Sequence, residues 1–208
     1  MNDAVSELPL GYASLKAGHI AAVVTNLEML SPPAKPMPRP FPPGVSLAPL
    51  ERSDLSAYRT LYRKVGEDWL WYSRLVMADD ELRAFFDDPR VDIFALRKDE
   101  QTIGLLELDF RQDRQCELAF FGLIAEAIGQ GLGRALMNAA LERAWSRPID
   151  RLWLHTCTFD HPAAVGFYIR SGFRPYAFQV EVAPDPRLSG HLPPQAAPHV
   201  PLIAPNLL

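Results

Sequence analysis

Two periodicities of apolar residues run along the chain, and together they predict an α/β fold. Alternating or β-branched apolar stretches predict strands, which are, in chain order, residues 19–30, 45–50, 92–98, 102–110, 116–124, 151–159 and 173–182. Apolar residues spaced three or four apart predict helices, which are residues 54–64, 78–86, 132–145 and 160–172. Ser53 or Asp54 is the expected N-cap of the first helix. A meander of three strands, followed by a helix and a further strand, predicts a mixed sheet with one parallel pair.

Two proline-rich segments flank residues 45–183, which hold most of these predicted strands and all of the predicted helices. Residues 31–43 have the sequence SPPAKPMPRPFPP, and residues 184–208 are again rich in proline. Because proline fixes φ and lacks an N–H donor, we expect neither segment to form a helix or a central strand. We therefore divide the chain into an N-terminal extension (1–44, with the strand 19–30), a domain (45–183) and a tail that is either packed down or loose. The proline-rich arm is either a stiff cover or a ligand for a polyproline-binding partner.

Composition narrows the class of protein. The 208 residues are 48% hydrophobic and carry a formal net charge of -4. With no basic cluster, this balance favours one globular domain with appendages and argues against a nucleic-acid or membrane surface. No stretch reaches the roughly 20 apolar residues of a membrane span, and no signal-peptide pattern begins the chain. Cys116 and Cys157 fall in predicted strands, so we expect reduced thiols and a cytoplasmic protein.

Three glycines at alternate positions separate a predicted strand from a predicted helix. Gly129, Gly131 and Gly133 leave backbone N–H groups unhindered at the helix N-terminus, where the helix dipole favours a phosphate. A nucleoside-triphosphate loop is excluded because Arg134, not lysine, follows the last glycine. The dinucleotide spacing G-x-G-x-x-G is excluded because its third glycine position is Leu136 when counted from Gly131 and Arg134 when counted from Gly129.

Two motifs around this loop resemble the GCN5-related N-acetyltransferase (GNAT) superfamily. The family's phosphate loop, Arg/Gln-x-x-Gly-x-Gly/Ala, is similar to residues 128–133, except that Ile128 replaces the basic or amide residue. The second motif, Asn-x-x-Ala-x-x-x-Tyr-x-x-x-Gly-Phe, is similar to residues 161–173, with His161 in place of the asparagine. The resemblance covers residues 45–182 and leaves both proline-rich ends outside it.

The resemblance implies both a fold and a co-substrate. The fold would be α/β with a GNAT-type mixed, mostly antiparallel twisted sheet, flanking helices, and a central parallel strand pair splayed to hold CoA. The co-substrate would be acetyl-CoA. The residues expected to contact it are Phe121, Gly122, Leu123, Gly129, Gln130, Gly131, Leu132, Gly133, Arg134 and His161. Gly122, within a strand, either admits a ligand close to the backbone or marks a bulge.

Tyr168 and Glu117 are the candidate catalytic residues. The resemblance assigns Tyr168 the role of general acid toward the CoA thiolate; the alternative is a core aromatic residue at helical spacing. Glu117 begins the strand expected to carry the acetyl group, and it is either the general base or half of a structural ion pair. Glu107 and Asp109 alternate on one face of the neighbouring strand and are further carboxylates to consider.

Histidines and cysteines offer weaker alternatives. His155 and His161 titrate near neutrality and could serve as a base or shuttle, although such residues more often cap helices or pack in cores. Together with Cys116 and Cys157 they lack the paired spacing of a zinc site, so we expect no metal. No cysteine follows an obvious nucleophile turn, which argues against a covalent acyl-enzyme.

The acceptor is expected beside the aromatic segment after the first helix. Its candidate residues are Glu67, Asp68, Trp69, Trp71 and Tyr72, and His155, near the cleft end of a later strand, is a further candidate. Aromatic walls with two acids suit a cationic amine. The alternative is that the tryptophans plug the sheet and the acids are exposed.

These observations predict an acetyl-CoA-dependent N-acetyltransferase that transfers an acetyl group to a primary amine by direct attack in a ternary complex. An acyl-CoA-binding regulatory or scaffold protein without turnover is the alternative. The acceptor is a small-molecule or peptide amine, and the oligomeric state stays open, a homodimer included. A partner-binding role for the proline-rich arms is a third hypothesis.

Overall fold

One seven-stranded sheet dominates this computed structural model, which describes residues 8, 10–34, 40–52 and 54–204. The strands are β1 (His19–Met29), β2 (Val45–Pro49), β3 (Val91–Lys98), β4 (Gln101–Asp109), β5 (Gln115–Leu123), β6 (Arg151–Cys157) and β7 (Arg174–Pro184). The helices are α1 (Leu55–Gly66), α2 (Ser73–Val76), α3 (Asp79–Asp87), α4 (Leu132–Trp145) and α5 (Ala164–Arg170), with 3-10 turns at Glu67–Trp69 and Ala125–Ala127. The strand order is β2-β3-β4-β5-β6-β1-β7.

Strand pairing confirms the predicted fold class. Every neighbouring pair is antiparallel except β5 and β6, which are parallel. That parallel pairing covers only Gln115–Glu117 against Arg151–Trp153, although both strands continue beyond it. The later halves of β5 and β6 are therefore splayed, and the β6-facing backbone edge of residues 118–123 has no strand partner.

Helix α1 anchors the core on one side of the sheet. Its Tyr58 and Tyr62 are fully buried, and the Asp54 side chain caps the helix by accepting a hydrogen bond from Ala57 N at 2.8 Å. Since a free N–H at a helix start is satisfied by such a carboxylate, the predicted helix start is confirmed at Asp54. The other predicted cap, Ser53, lies outside the described residues.

The N-terminal strand requires a correction to the predicted organisation. Strand β1 lies between β6 and β7 within the sheet, and its Leu27, which pairs with Leu154 on one side, is fully buried. Residues 19–29 therefore belong to the folded unit rather than to an extension outside it. Sequence periodicity identifies a strand but not the strands with which it pairs, because pairing partners lie far away in the chain.

The C-terminal segment is packed down on the fold. Residues 185–204 form neither a helix nor a strand, yet they contribute a second apolar cluster in which Leu192 and Val200 are buried against Leu70. Of the two alternatives for the tail, the packed one is observed for these residues.

Candidate active site

A cavity of about 710 Å³ opens where β5 and β6 splay apart. Its walls come from residues 117–123 of β5, residues 155–157 of β6, the segment 69–74 after α1, and α5 with the loop before it. The edge of β5 that faces the cavity keeps unpaired backbone N–H and C=O groups. Such groups can pair with an extended ligand as an added strand would.

A β-bulge at Ala119 orients the acid of β5. Glu107 pairs with Phe120 and Asp109 pairs with Glu117, so the register shifts by one residue between the two pairs. Residues 117 and 120 would lie on opposite faces of a regular strand. Because of the bulge, Glu117 instead shares a face with Phe120 and lines the cavity.

Glu117 is the carboxylate best suited to accept a proton. Burial raises its pKa, and the neighbouring His155 partly opposes that rise. The Nδ1 atom of His155 lies 3.6 Å from Glu117 Oε1, so the structure brings these two predicted site residues together. A partly desolvated carboxylate with only an imidazole beside it is a better base than one held in a close ion pair with arginine.

The other two carboxylates are already engaged. Glu107 is fully buried, accepts a hydrogen bond from the Tyr58 hydroxyl at 2.8 Å and forms an ion pair with Arg74 at 2.5 Å. Asp109 Oδ2 accepts hydrogen bonds from Nε and Nη2 of Arg111, at 2.9 Å and 2.6 Å. These charge-assisted contacts occupy the oxygens of Glu107 and Asp109, so neither is as available as Glu117 to accept a proton.

Tyr168 projects from α5 into the cavity. Its ring forms edge contacts with Phe121, Phe167 and Phe173, which fix its orientation. Burial, with a smaller contribution from the Asp160 carboxylate, raises the pKa of Tyr168 above its usual range, so the hydroxyl stays protonated at neutral pH. The residue is thus both a packed aromatic and a proton donor that faces the cavity.

The glycine loop has the geometry of an anion cradle. Gly129 has φ +82° and Gly131, the N-cap of α4, has φ +77°, a region that favours glycine. An added Cβ at Gly129 or Gly133 would meet nothing within 4 Å, so open space lies above the free N–H groups of the helix. A phosphate fits this arrangement of amides and space.

Two side chains modify this loop. Ile128, where the family pattern has a basic or amide residue, lines the cavity and is 43% exposed. Lys98, at the end of β3, places its Nζ 3.3 Å from Gln130 Oε1 and so brings a cation beside the loop. Sequence analysis missed Lys98, because its proximity to the loop depends on strand pairing. The Arg134 side chain donates a hydrogen bond from Nη1 to Ser171 Oγ at 2.9 Å. Its backbone lies in the first turn of α4.

Gly122 has a packing role that the sequence did not predict. An added Cβ there would lie 2.4 Å from Val65 Cγ1 and 3.3 Å from Trp71 Cη2. Close packing of α1 on β5 therefore requires this glycine, and the bulge is at Ala119 instead. The bulge alternative for Gly122 is corrected, whereas the expectation that its backbone contacts a ligand stays a prediction, since Gly122 lines the cavity.

The aromatic segment 69–72 divides between two roles. Trp69, Trp71 and Tyr72 line the cavity, whereas Glu67 and Asp68 are not among its lining residues. Trp71 also packs against Tyr62 and Phe120, so it plugs the sheet as the alternative proposed. The His161 ring lies 5.5 Å from that of Trp69, and its Nδ1 accepts a hydrogen bond from Ala163 N, so His161 caps the turn before α5.

Asp160 is a cavity residue that sequence analysis missed. Its Oδ1 accepts a hydrogen bond from Trp71 Nε1 at 3.1 Å. Its Oδ2 accepts hydrogen bonds from Thr156 Oγ1 at 2.7 Å and from Cys157 N at 2.9 Å. Asp160 therefore ties the aromatic segment to the end of β6. Its position directly after a predicted strand was the only available signal.

Three further features of the described residues bear on function: the two cysteine thiols, possible metal ligands and helices that could span a membrane. Burial raises the pKa of Cys157 to about 11, and it raises that of the buried Cys116 as well, so neither is a ready thiolate. No group of three or more potential ligand side chains among the described residues is placed to hold a metal ion. No helix in the described part of the chain is long and apolar enough to cross a membrane.

Comparison with known proteins agrees with this geometry. A model of the acetyltransferase (GNAT) family matches residues 56–173. The chain belongs to the GNAT acetyltransferase family. No curated protein gives a significant match to the chain.

Solved structures of GNAT proteins share the fold at low sequence identity. A GNAT family protein from Novosphingobium aromaticivorans is 15% identical, with a TM-score of 0.53 over 82% of this chain and 68% of its own. A GCN5-related N-acetyltransferase from Sphaerobacter thermophilus is 14% identical, with a TM-score of 0.58 over 80% of this chain and 53% of its own. An aminoglycoside acetyltransferase from an uncultured soil metagenomic sample is 14% identical, with a TM-score of 0.52 over 62% of this chain and 87% of its own. Family membership supports acetyl transfer, and these distant structures support the GNAT fold.

Proposed function

We propose that this GNAT protein is an acetyl-CoA-dependent N-acetyltransferase that acetylates a primary amine by direct attack in a ternary complex. The observation that carries the proposal is the splayed β5–β6 cleft. It has a desolvated carboxylate, Glu117, a protonated phenol, Tyr168, and a glycine anion cradle around it.

The fit to acetyl-CoA rests on two features. Free amides and open space around Gly129 and Gly133 suit the pyrophosphate, and the unpaired edge of residues 118–123 suits the amide-rich pantetheine arm. Lys98 supplies a nearby cation that Ile128 cannot. Acetyl-CoA, when bound, supplies an acetyl thioester, which an amine converts into an amide and a free thiol.

Proton transfer is then assigned to two side chains. Glu117 accepts the proton that the acceptor ammonium must lose before its nitrogen can attack. The Tyr168 hydroxyl donates a proton to the sulfur as the carbon–sulfur bond breaks. Backbone N–H groups of residues 118–123 can stabilise the negative charge that develops on the carbonyl oxygen. The raised thiol pKa values of Cys116 and Cys157 support direct attack over a covalent acyl-enzyme.

The alternative is an acyl-CoA-binding module without turnover, and Ile128 is the observation that favours it. A thiol-release assay with acetyl-CoA and a panel of primary amines separates the two functions. Saturable CoA binding with no thiol release on any amine would favour the alternative. Two unpaired thiols also support our proposal of a cytoplasmic location.

Tyr168→Phe tests the proposed general acid. We expect kcat to fall by about 10²-fold, because the ring contacts remain while the donated proton is lost. The affinity for acetyl-CoA, measured by calorimetry, should stay within about twofold, since the phenol meets only the sulfur end of the co-substrate. Tyr176→Phe, on the exposed face of β7, is the matched control. Unchanged turnover in Tyr168→Phe would remove this residue from the mechanism.

A further inference from the structure

The C-terminal segment is held in one shape by a buried arginine. Arg187 forms an ion pair with Asp185 and is almost fully buried. Its guanidinium also donates hydrogen bonds to the carbonyls of Ala196 at 3.1 Å, Val200 at 2.8 Å and Pro201 at 3.2 Å. A buried charge with this many partners fixes the chain around it. We call residues 185–201 the C-terminal cap.

The cap packs against a strained residue in the aromatic segment. Leu70 has φ 57°, an uncommon conformation for a residue with a branched side chain. It is buried among Leu192, Ala196 and Val200 of the cap. Such strain persists only where the surroundings over-determine it. The cap therefore holds the turn that presents Trp69 and Trp71 to the cavity.

Two histidines of the cap contact residues that line the cavity. The His191 ring stacks on Tyr72 at an interplanar angle of 5°, and the His199 ring lies 5.7 Å from that of Trp69. His199 Nε2 is 2.9 Å from the Phe159 carbonyl oxygen. Among the described residues, none of the cap lines the cavity itself. The cap positions the lining residues without touching what they bind.

The cavity has one desolvated carboxylate that is available to pair with an ammonium group. Asp109 is paired with Arg111, and Asp160 already accepts three hydrogen bonds. Glu117 is the desolvated carboxylate that remains, whereas Glu181, which also lines the cavity, is exposed on β7. Nine Phe, Tyr and Trp side chains are among the residues that line the cavity. A flat apolar body with a single amine matches this surface better than a polycation does.

We propose that the C-terminal cap shapes an aromatic acceptor pocket, in which it holds Trp69 and Tyr72 for a primary monoamine with a flat apolar body. This inference rests on the proposed function and names its acceptor class. The cap lies wholly beyond residues 56–173, the part that matches the family model. It is a positioning element of this chain, not part of the acetyl-transfer machinery.

The test compares two copies of one sequence motif. Asp-Pro-Arg occurs at residues 88–90 and 185–187, and in both the arginine binds the aspartate two residues before it. Arg187→Leu alters the cap, whereas Arg90→Leu alters the exposed copy and is the control. Calorimetry on the full chain measures tryptamine binding to the CoA-saturated protein, with spermidine as the polycation. Binding of CoA alone is measured for each variant.

We expect wild-type protein to bind tryptamine and not spermidine. Arg187→Leu should weaken tryptamine binding by about tenfold or more, through misplacement of the wall, with CoA affinity within about twofold. Arg90→Leu should change neither affinity. If Arg187→Leu does not fold, the double variant His191→Ala with His199→Ala replaces it. Both rings are exposed, so this variant should fold, and we expect the same loss of tryptamine affinity.

Three outcomes would overturn the inference. Absence of CoA binding in the wild type removes both the proposed function and this pocket. Intact CoA binding without tryptamine binding, or with preference for spermidine, removes the pocket and leaves the proposed function standing. Equal tryptamine affinity in wild type and in the folded cap variants removes the positioning role of the cap.

Discussion

Glu117 shows how much one residue's chemistry depends on its surroundings. Its carboxylate is similar in sequence context to those of Glu107 and Asp109, which also lie in strands of the meander. Arginines neutralise the other two, whereas Glu117 faces only His155, at 3.6 Å. Burial raises the pKa of Glu117 more than His155 lowers it, and that rise suits a base.

The pH dependence of activity follows from this raised pKa. A base must be ionised to act, so kcat/KM should fall as the pH drops through the pKa of Glu117, above the ordinary glutamate value of about 4.3. Glu117→Gln should lower kcat by about 10²-fold or more and abolish this acidic limb. Glu126→Gln, an exposed acid outside the cavity, is the control. An acidic limb that survives in Glu117→Gln would assign the base elsewhere.

The same shift has a consequence for stability. A carboxyl group whose pKa is higher in the folded state than in the unfolded state favours folding at low pH. That contribution is lost as the pH rises through the folded-state pKa. Glu117→Gln should therefore raise Tm at pH 7 and leave it nearly unchanged at pH values below about 4.

At the scale of elements, the strand–loop–helix unit from β5 to α4 is organised by its glycines. Gly131 needs its positive φ to begin α4, whereas Gly133 lies within the first turn of the helix with no positive φ. The two positions therefore differ in backbone conformation, although both leave the phosphate space open. The family pattern accepts alanine at the second position and not at the first, which agrees with this difference.

Alanine at these two positions should act in opposite directions. Gly131→Ala should destabilise the fold by about 1 kcal/mol, because φ +77° is unfavourable for alanine, and it should weaken acetyl-CoA binding. Gly133→Ala should stabilise the fold by up to about 1 kcal/mol through higher helix propensity, with acetyl-CoA affinity nearly unchanged. Urea unfolding and calorimetry measure the two effects. Equal losses of affinity in both variants would contradict the assigned geometry.

At the scale of the whole molecule, segments outside the family match complete the structure. Strand β1 precedes residues 56–173 and β7 follows them, yet the two pair with each other and join the sheet beside β6. The C-terminal cap then covers the aromatic segment of the cavity. The functional unit is therefore larger than the region that sequence similarity identifies.

Leu27 in β1 and Leu30 just after this strand test the larger unit. Leu27 is fully buried, so Leu27→Ala should lower the free energy of unfolding by about 2–5 kcal/mol through lost burial and a new cavity. Leu30, three residues later and 51% exposed, is the control, and Leu30→Ala should change stability by less than about 0.5 kcal/mol. Urea unfolding gives both values. Similar stability of the two variants would show that β1 is an appendage.

Local features of the fold and site were predictable from the sequence alone. Periodicity identified the strands and the four longer helices, because each depends on spacing within a few residues. The glycine spacing and the tyrosine four residues before Gly172 indicated the GNAT family and the candidates Tyr168 and Glu117. These motifs are short, so the residues that define them lie close together in the sequence.

Only the tertiary structure decided the features that depend on contacts between distant residues. The bulge at Ala119 turns Glu117 to the cavity, and Val65 explains Gly122. Strand β1 enters the sheet between β6 and β7, and Arg187 folds the tail against Leu70. Pairing register, close packing and burial of charge are set by the whole fold, so no local pattern could reveal them.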